Sequence, residues 1–401
     1  MKRPPSLQRR ERGLTLVELL VAMAIGLIVT LAVTSVVIVG ESQKRSTTGV
    51  NDANQSGNYA AYVIDRALRS AGSGFTQAWD LGIFGCRLNI KQGGATTVLP
   101  RATDFPAPFA GVPKEVRVAP VLIDRPASGS DVLIVMGGNS SAGDIARPIL
   151  SLGASADSLR MNNTIGLRQG DIGLVSRSGT DDCLVEQVYS ATPFVDSLGN
   201  DVLPIGGTYY DSTGTDADLA GITSGGDAYF TPIGNLTASN VQLQMFGVTA
   251  NRTLVSYDLM QQAGGATAEL RDTNAAQGIA DGVVELRAVY AVDKNEDGKF
   301  DLSSGDEWVA PDTAGYTITD MMTTPAKLRR VMAIRVAMVL RSSNYEKEND
   351  PPVAPDSLLL FAELPEGVRT TFTISGDDKH FRHRVVEFTV PLRNMLLLPT
   401  S

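Results

Sequence analysis

The N-terminal segment places the strongest constraint on this chain. Residues 14–39 form an apolar run that is uncharged apart from Glu18. As a helix at ~1.5 Å per residue, this run would be roughly 39 Å long and would cross the ~30 Å hydrocarbon core of a bilayer with some tilt. An ionisable group in such a helix costs at least ~2.5 kcal/mol on insertion scales, so Glu18 indicates more than a passive anchor. The alternative is an ordinary signal anchor whose carboxylate reaches the interface.

A basic leader, residues 1–13, precedes the run and ends in Gly13. It carries five basic residues and one acidic residue. A secretory signal is cleaved after its apolar run, whereas a cut at Gly13 would keep the helix on the mature chain. Because the positive charges flank only this side, the leader is predicted to be cytoplasmic and the chain after Val39 to be exported.

Residues 13–18, Gly-Leu-Thr-Leu-Val-Glu, together with the apolar run that follows them, resemble the class III signal of type IV prepilins. The resemblance implies that a prepilin peptidase cuts between Gly13 and Leu14 and methylates the new amino group of Leu14. It also implies a partner for Glu18, namely the terminal amine of a neighbouring subunit in a filament. That charge would offset the desolvation of the carboxylate.

The size and charge of the chain limit the number of domains, the number of membrane helices and the kind of partner. Its 401 residues, 43% of them hydrophobic, can form one or two sizeable domains. No second apolar stretch approaches the ~18 residues that another membrane helix needs, which predicts a single-pass protein. The formal net charge is −9, and it becomes −13 without the leader, so broad nucleic-acid binding is not expected.

The chain has two cysteines, Cys86 and Cys183. In an exported domain two cysteines usually pair, and a bridge closing so long a loop would contribute about 4 kcal/mol in the chain-entropy model. The predicted disulfide therefore joins these two residues. Two buried thiols are the alternative.

The helical pattern continues beyond the apolar run, which predicts that residues 40–72 extend the helix as an amphipathic segment. Small and apolar residues recur there at steps of three and four. They are Val50, Ala53, Gly57, Ala60, Ile64, Ala67 or Leu68, and Ala71. Gly72-Ser73-Gly74 would end the helix, and the small side chains would let a sheet approach closely.

Residues 73–401 are predicted to form a β-rich globular domain. Residues 75–127, with prolines at short intervals, indicate a long ordered connector whose aromatic side chains need burial, and residues 190–240 indicate surface loops. Five short strands are predicted at residues 131–136, 172–176, 184–189, 241–248 and 254–259.

Three stretches in the last third alternate apolar and polar residues, at 284–292, 332–340 and 386–390. They predict an antiparallel sheet with one covered face, and the long helix is the natural cover. The expected fold class is therefore α+β, with a long N-terminal helix, hydrophobic in its first half, packed against an antiparallel sheet.

Blocks of the last third resemble the PilW family of minor pilins. They are residues 281–298, the strand at 336–341 and the terminal block 382–394, which ends in Leu-Arg-Asn. The resemblance covers roughly residues 1–75 and 237–401 and implies the pilin fold. Residues 76–230 carry no motif of this family and are a possible insertion.

An acidic segment within the first of these blocks follows the pattern of a calcium loop. Its alternating candidate ligands are Asp293, Asn295, Asp297, Lys299 and Asp301. Oxygen ligands at alternate positions and a glycine for the sharp turn are what a wrapped Ca²⁺ requires. However, Ser304 stands where a bidentate glutamate belongs. The alternative is an acidic hairpin turn without a metal, and no other cofactor is expected.

Residues 379–384, Lys-His-Phe-Arg-His-Arg, mix cations with an aromatic ring, as a nucleic-acid contact does. A solvated strand face is the plainer interpretation, and no nucleic-acid partner is expected. His380 and His383 are predicted on opposite faces of one strand. Since the chain has no HExxH, GxSxG or Walker motif, it is not expected to be an enzyme. An acid/base pair among its many carboxylates is the alternative.

The two resemblances together imply a minor pilin that takes part in type IV pilus assembly, priming it or sitting at the pilus tip, with roles in twitching motility and cell adhesion. The implied partners are other minor pilins, the major pilin, the prepilin peptidase and the inner-membrane assembly platform. The protein would lie in the bacterial inner membrane with a periplasmic C-terminal domain, and would be extracellular after assembly. The alternatives are a minor pseudopilin of a type II secretion system and a pilus-associated adhesin.

Overall fold

The structure is a computed structural model that describes residues 15–152, 157–189, 194–211, 219–261, 275–346 and 353–398. The predicted cleavage residues Gly13 and Leu14 lie outside these ranges. The chain divides into two compact units, residues 1–52 and 53–401. Its class is α+β, as predicted, because one long helix is followed by a domain rich in antiparallel sheets.

The described strands form sheets of eight, five, four and two strands. The helices are α1 (Leu16–Ser70), α2 (Leu219–Thr223), α3 (Ile318–Thr323) and α4 (Pro325–Leu328). The strands are β1 (Arg87–Gln92), β2 (Thr96–Leu99), β3 (Val121–Asp124), β4 (Val132–Gly138), β5 (Arg147–Leu152), β6 (Ser158–Met161), β7 (Asp171–Arg177), β8 (Asp182–Gln187), β9 (Val202–Pro204), β10 (Ala228–Asn235), β11 (Val241–Val248), β12 (Thr253–Asp258), β13 (Ala276–Asp281), β14 (Val283–Val292), β15 (Glu307–Val309), β16 (Val331–Arg341), β17 (Ser357–Leu360), β18 (Thr370–Thr373) and β19 (His383–Pro391).

The C-terminal part of α1 belongs to the globular unit and packs as the sequence predicts. Its stripe residues Ala60, Ile64 and Leu68 are fully buried in the main hydrophobic core. At Gly57 a Cβ atom would lie 2.8 Å from both Cδ atoms of Leu340 on β16, so an alanine there would require the Leu340 side chain to shift. The helix ends at Ser70, and Gly72 takes a left-handed conformation with φ of +77°.

The four-stranded sheet, in the order β15-β14-β16-β19, confirms the three alternating strands of the last third. All its neighbours are antiparallel. Leu286 and Met338 on one face join the core that contains the α1 stripe. The predicted single covered face is wrong, because Val289 and Val339 on the other face are buried with Phe361, which follows β17. The short hairpin of β17 and β18 supplies this second cover.

The five-stranded sheet has the order β13-β12-β11-β4-β3 and contains three more of the predicted strands. In it β4 runs antiparallel to β11, with Gly138 opposite Val241. Just beyond this pair, the Asn139 N–H donates to the Asn240 carbonyl oxygen at 3.1 Å. Residues 139–240 therefore leave and rejoin the sheet at neighbouring points.

The eight-stranded sheet, in the order β2-β1-β8-β7-β10-β5-β6-β9, corrects two predictions. The expected connector at residues 75–127 contains β1 and β2 of this sheet, as well as β3 of the five-stranded sheet. The expected surface loops at 190–240 contain β9 and β10. Phe230 of β10 is fully buried in a hydrophobic cluster that lies apart from the main core. The aromatic residues Phe84, Phe105 and Phe109 of the connector are buried, as expected.

Cys86 and Cys183 form the predicted disulfide, with Cα atoms 5.7 Å apart. Cys86 directly precedes β1, and Cys183 lies on β8, the parallel neighbour of β1. The bond therefore fastens together two strands that are 97 residues apart in the sequence.

A buried charge network connects the five-stranded sheet to the four-stranded sheet. Asp131, at the start of β4, is fully buried and accepts hydrogen bonds from Arg125 Nε at 2.9 Å and Nη2 at 2.7 Å. It also accepts from Arg287 Nη1 at 2.9 Å and from the Ala288 N–H at 2.8 Å, both on β14. Because one carboxylate holds groups from both sheets, it fixes their relative placement.

Candidate assembly site

The N-terminus of α1 carries a reciprocal cap that contains Glu18. Thr15 precedes the helix, and its Oγ1 accepts the Glu18 N–H at 3.3 Å. In return, Glu18 Oε2 accepts from the Thr15 N–H at 3.1 Å and from the Thr15 hydroxyl at 3.0 Å. This is a capping box, and the spacing Thr-x-x-Glu signals it in the sequence. Glu18 therefore has a role within its own helix besides the predicted pairing with a neighbouring subunit.

The surface of α1 from Leu16 to Gly40 is almost entirely apolar. Every described residue from 15 to 41 is exposed in the single chain. The Thr30 hydroxyl donates to the Gly26 carbonyl oxygen at 2.9 Å. The Ser35 hydroxyl donates to the Ala32 carbonyl oxygen at 2.8 Å. These hydroxyl groups find their hydrogen-bond acceptors within the helix, as a lipid environment requires. Within the described residues, α1 is the one helix that is long and apolar enough to cross a membrane.

Glu18 is the single carboxylate on this apolar surface before Glu41. Its side chain is exposed, and within the described residues Oε1 has no hydrogen-bond donor, because Thr15 occupies Oε2. The site therefore offers one acceptor oxygen to a group from outside the chain.

The predicted calcium loop is held by its own backbone. The two carboxylate oxygens of Asp293 accept loop N–H bonds of 2.6 and 2.8 Å, and those of Asp306 accept two at 2.8 Å. Asn295 and Asp297 likewise each accept an N–H two residues further on. Across the described ranges, no group of three or more His, Cys, Asp or Glu side chains is placed to hold a metal. The calcium site stays a prediction.

The cationic cluster at residues 379–384 is paired with acidic side chains. Lys379 Nζ lies 2.6 Å from Asp356 Oδ1, and Arg382 Nε lies 2.5 Å from Glu346 Oε1. The two histidines do not share a strand, which corrects the prediction. His380 ends a 3₁₀ turn and His383 begins β19. Burial lowers the pKa of His383 below its usual value.

A polar groove of about 740 Å³ lies between α1 and the five-stranded sheet within the globular unit. The side chains that line it are mainly hydroxyls and amides, and Arg66 is the one charged residue among them. Its polar lining includes Tyr59, Tyr62, Arg66, Ser70, Asn139, Asn240, Gln242, Gln244, Ser256 and Gln277. This lining lacks the carboxylate pair that acid/base chemistry needs.

The apolar helix with its capped acid fits a membrane-anchored, pilin-like protein. Residues 8–34 match the model of the prokaryotic N-terminal methylation motif, which confirms the prepilin-type signal. Residues 246–394 match the family model of the type IV pilus-assembly protein W. Together the two matches support a type IV pilus-related minor pilin whose C-terminal region resembles PilW. No curated protein and no solved structure matches it.

Proposed function

We propose that this minor pilin primes type IV pilus assembly or sits at the pilus tip, and that it supports twitching motility and attachment. The observation that carries the proposal is the exposed carboxylate of Glu18 on an otherwise apolar helix. A membrane or filament core tolerates such a group only when a counter-charge is present.

The proposed mechanism begins with removal of the leader. A prepilin peptidase cuts between Gly13 and Leu14 and methylates the Leu14 amine. Within the membrane, that amine binds the Glu18 carboxylate of a neighbouring pilin, and Glu18 of this chain binds a partner's amine through Oε1. The pairing sets the register between helices as the assembly platform inserts the subunit among major and minor pilins. The globular domain stays periplasmic until assembly exposes it, and its proposed role is structural rather than enzymatic.

The charge of Glu18 and its capping role can be tested separately. We expect Glu18→Gln to lower the amount of this protein in sheared pili about tenfold, equivalent to ~1.4 kcal/mol, because glutamine keeps the capping box but removes the charge. Thr15→Ala removes the cap, keeps the charge and should incorporate nearly normally. Quantitative immunoblots of membranes and sheared pili measure both. Normal incorporation of Glu18→Gln would refute the mechanism.

Adhesion is the second candidate function, and exposed apolar side chains favour it. Ile145, Ile165 and Leu198 are 72, 80 and 84% exposed, and all lie within residues 139–240. Replacing the three with serine should lower cell attachment while leaving piliation unchanged. Leu302→Ser, at an exposed leucine within the PilW-matched region, is the matched control. Attachment that is equal in both variants would remove this candidate.

The pseudopilin alternative makes a different prediction about the genome. Pilus genes beside this one favour the minor pilin, whereas genes for a secretin-based export machine favour a type II secretion system.

A further inference from the structure

Three ionisable side chains meet in the eight-stranded sheet, away from the assembly helix. Strands β1 and β8 run parallel, with Leu88 opposite Cys183 and Asn89 opposite Leu184. Continuing this register along both strands sets Lys91 beside Glu186. The disulfide at the start of the two strands keeps that register in place.

Asp211 completes the cluster. It follows a bridge between Gln92 and Tyr209, and its own N–H donates to Glu186 Oε2 at 3.3 Å. Its carboxylate oxygen Oδ2 lies 2.8 Å from Lys91 Nζ, and the Lys91 and Asp211 side chains are only 12 and 3% exposed. An amine and a carboxyl group are therefore held in contact with little surrounding water.

Glu186 is fully buried beside this pair. It lies on the same face of β8 as Leu184, which belongs to the second hydrophobic cluster. Among the described residues its Oε1 has no hydrogen-bond partner. Burial raises the pKa of Glu186 well above its usual value, which favours the neutral acid. A neutral carboxylic acid beside an amine and a carboxyl group can both donate and accept a proton.

We propose that Lys91 and Asp211 are joined by an intramolecular amide bond and that Glu186 transfers the protons that its formation requires. A proton first passes from the Lys91 ammonium to the Asp211 carboxylate, which gives a neutral amine and a neutral acid. The Nζ lone pair then attacks Asp211 Cγ. Glu186 protonates the departing hydroxyl and takes a proton from Nζ, so that the N–C bond forms, a C–O bond breaks and one water leaves. Glu186 ends in its starting form.

Two features of the site favour this condensation over a lasting ion pair. Well-oriented groups reach effective concentrations of ~10⁵ M or more, so the bimolecular cost of amide formation is removed. Burial destabilises both charges, and the amide product carries neither. The product would also close a second link between the region of β1 and the segment after β9, alongside the disulfide.

Mass spectrometry of the purified full-length chain tests the proposal. We expect an intact mass that is one water lower than the sequence and its processing require, and a branched peptide that joins the segments around Lys91 and Asp211. Asp211→Asn should give the same branched peptide with loss of ammonia instead of water. Formation of the disulfide between Cys86 and Cys183 reports that each variant has folded.

Two further variants separate the amide from an ion pair. Lys91→Arg keeps the charge but lacks the amine nucleophile, so it should show no branched peptide. Glu186→Gln keeps the shape but loses the proton-transfer group, and should slow the reaction ~100-fold or more. Linear peptides containing unmodified Lys91 and Asp211 from the folded wild-type chain would overturn the proposal. A branched peptide that forms at the same rate in Glu186→Gln would overturn the assigned role of Glu186.

Discussion

Replacing Asp131 with alanine is expected to lower the free energy of unfolding of the globular unit by about 3–5 kcal/mol. The substitution would leave the guanidinium groups of Arg125 and Arg287 in a buried environment without their shared carboxylate. It would also remove the acceptor of the Ala288 N–H on β14. The loss is large because desolvated charges remain in place after their partner has gone.

Asp312→Ala is the matched control for this prediction. Asp312 lies 3.4 Å from Arg125 Nη1, but its side chain is 62% exposed. Removing this solvent-screened carboxylate should change the stability by less than about 1 kcal/mol. Urea unfolding of the full-length protein, followed by the fluorescence of Trp79 and Trp308, measures both variants. Equal losses would mean that burial of Asp131 contributes nothing to the linkage of the two sheets.

The second large effect is expected at Gly13. Gly13→Leu should block removal of the leader, so that the chain accumulates in the membrane with its five basic leader residues and is absent from sheared pili. Carrying those charges into an apolar filament core would cost at least ~2.5 kcal/mol each on insertion scales. Immunoblots and the N-terminal peptide mass distinguish the unprocessed chain from the mature one.

Gly26→Ala provides the control within the same helix. A Cβ atom at Gly26 meets no atom within 4 Å, and alanine favours a helix by about 1 kcal/mol over glycine. Processing and incorporation should therefore be unchanged. A mature N-terminus other than Leu14 in the wild-type protein would contradict the assigned cleavage.

The regular parts of the fold could be predicted because their periodicity is strong. The steps of three and four predicted the continuation of α1, and Gly72-Ser73-Gly74 predicted its end, which lies at Ser70. The stretch predicted as a strand at residues 241–248 matches β11. Strand β10 was missed because Pro232 and Gly234 break the usual strand pattern. In the structure, Pro232 and Gly234 lie at a register shift in the pairing of β10 with β7. The residues of β10 that pair with β5 come before this shift.

Long-range side-chain clusters were beyond sequence reasoning for a different reason. Lys91, Glu186 and Asp211 are far apart in the chain, and they meet only through the parallel pairing of β1 with β8 and the bridge between Gln92 and Tyr209. The capping box at Thr15 and Glu18, by contrast, is a local pattern that the sequence does display. An acid in a membrane-spanning segment predicts a charge partner for Glu18, but it does not predict the hydrogen bonds to Thr15.

The adjacent positions of Asn139 and Asn240 have a consequence for how this pilin can vary. Since β4 and β11 already form a hairpin-like pair, both strands can keep their places when the segment between them changes, as long as β8 and Cys183 remain to hold β1. Chimeras of this protein joined at these two asparagines should therefore keep β4 and β11 paired, provided that the exchanged segment supplies a strand and a cysteine in place of β8 and Cys183. Chimeras joined at residues 76 and 230 would instead lose β3 and β4. They would also lose the Asp131 carboxylate, which connects two sheets.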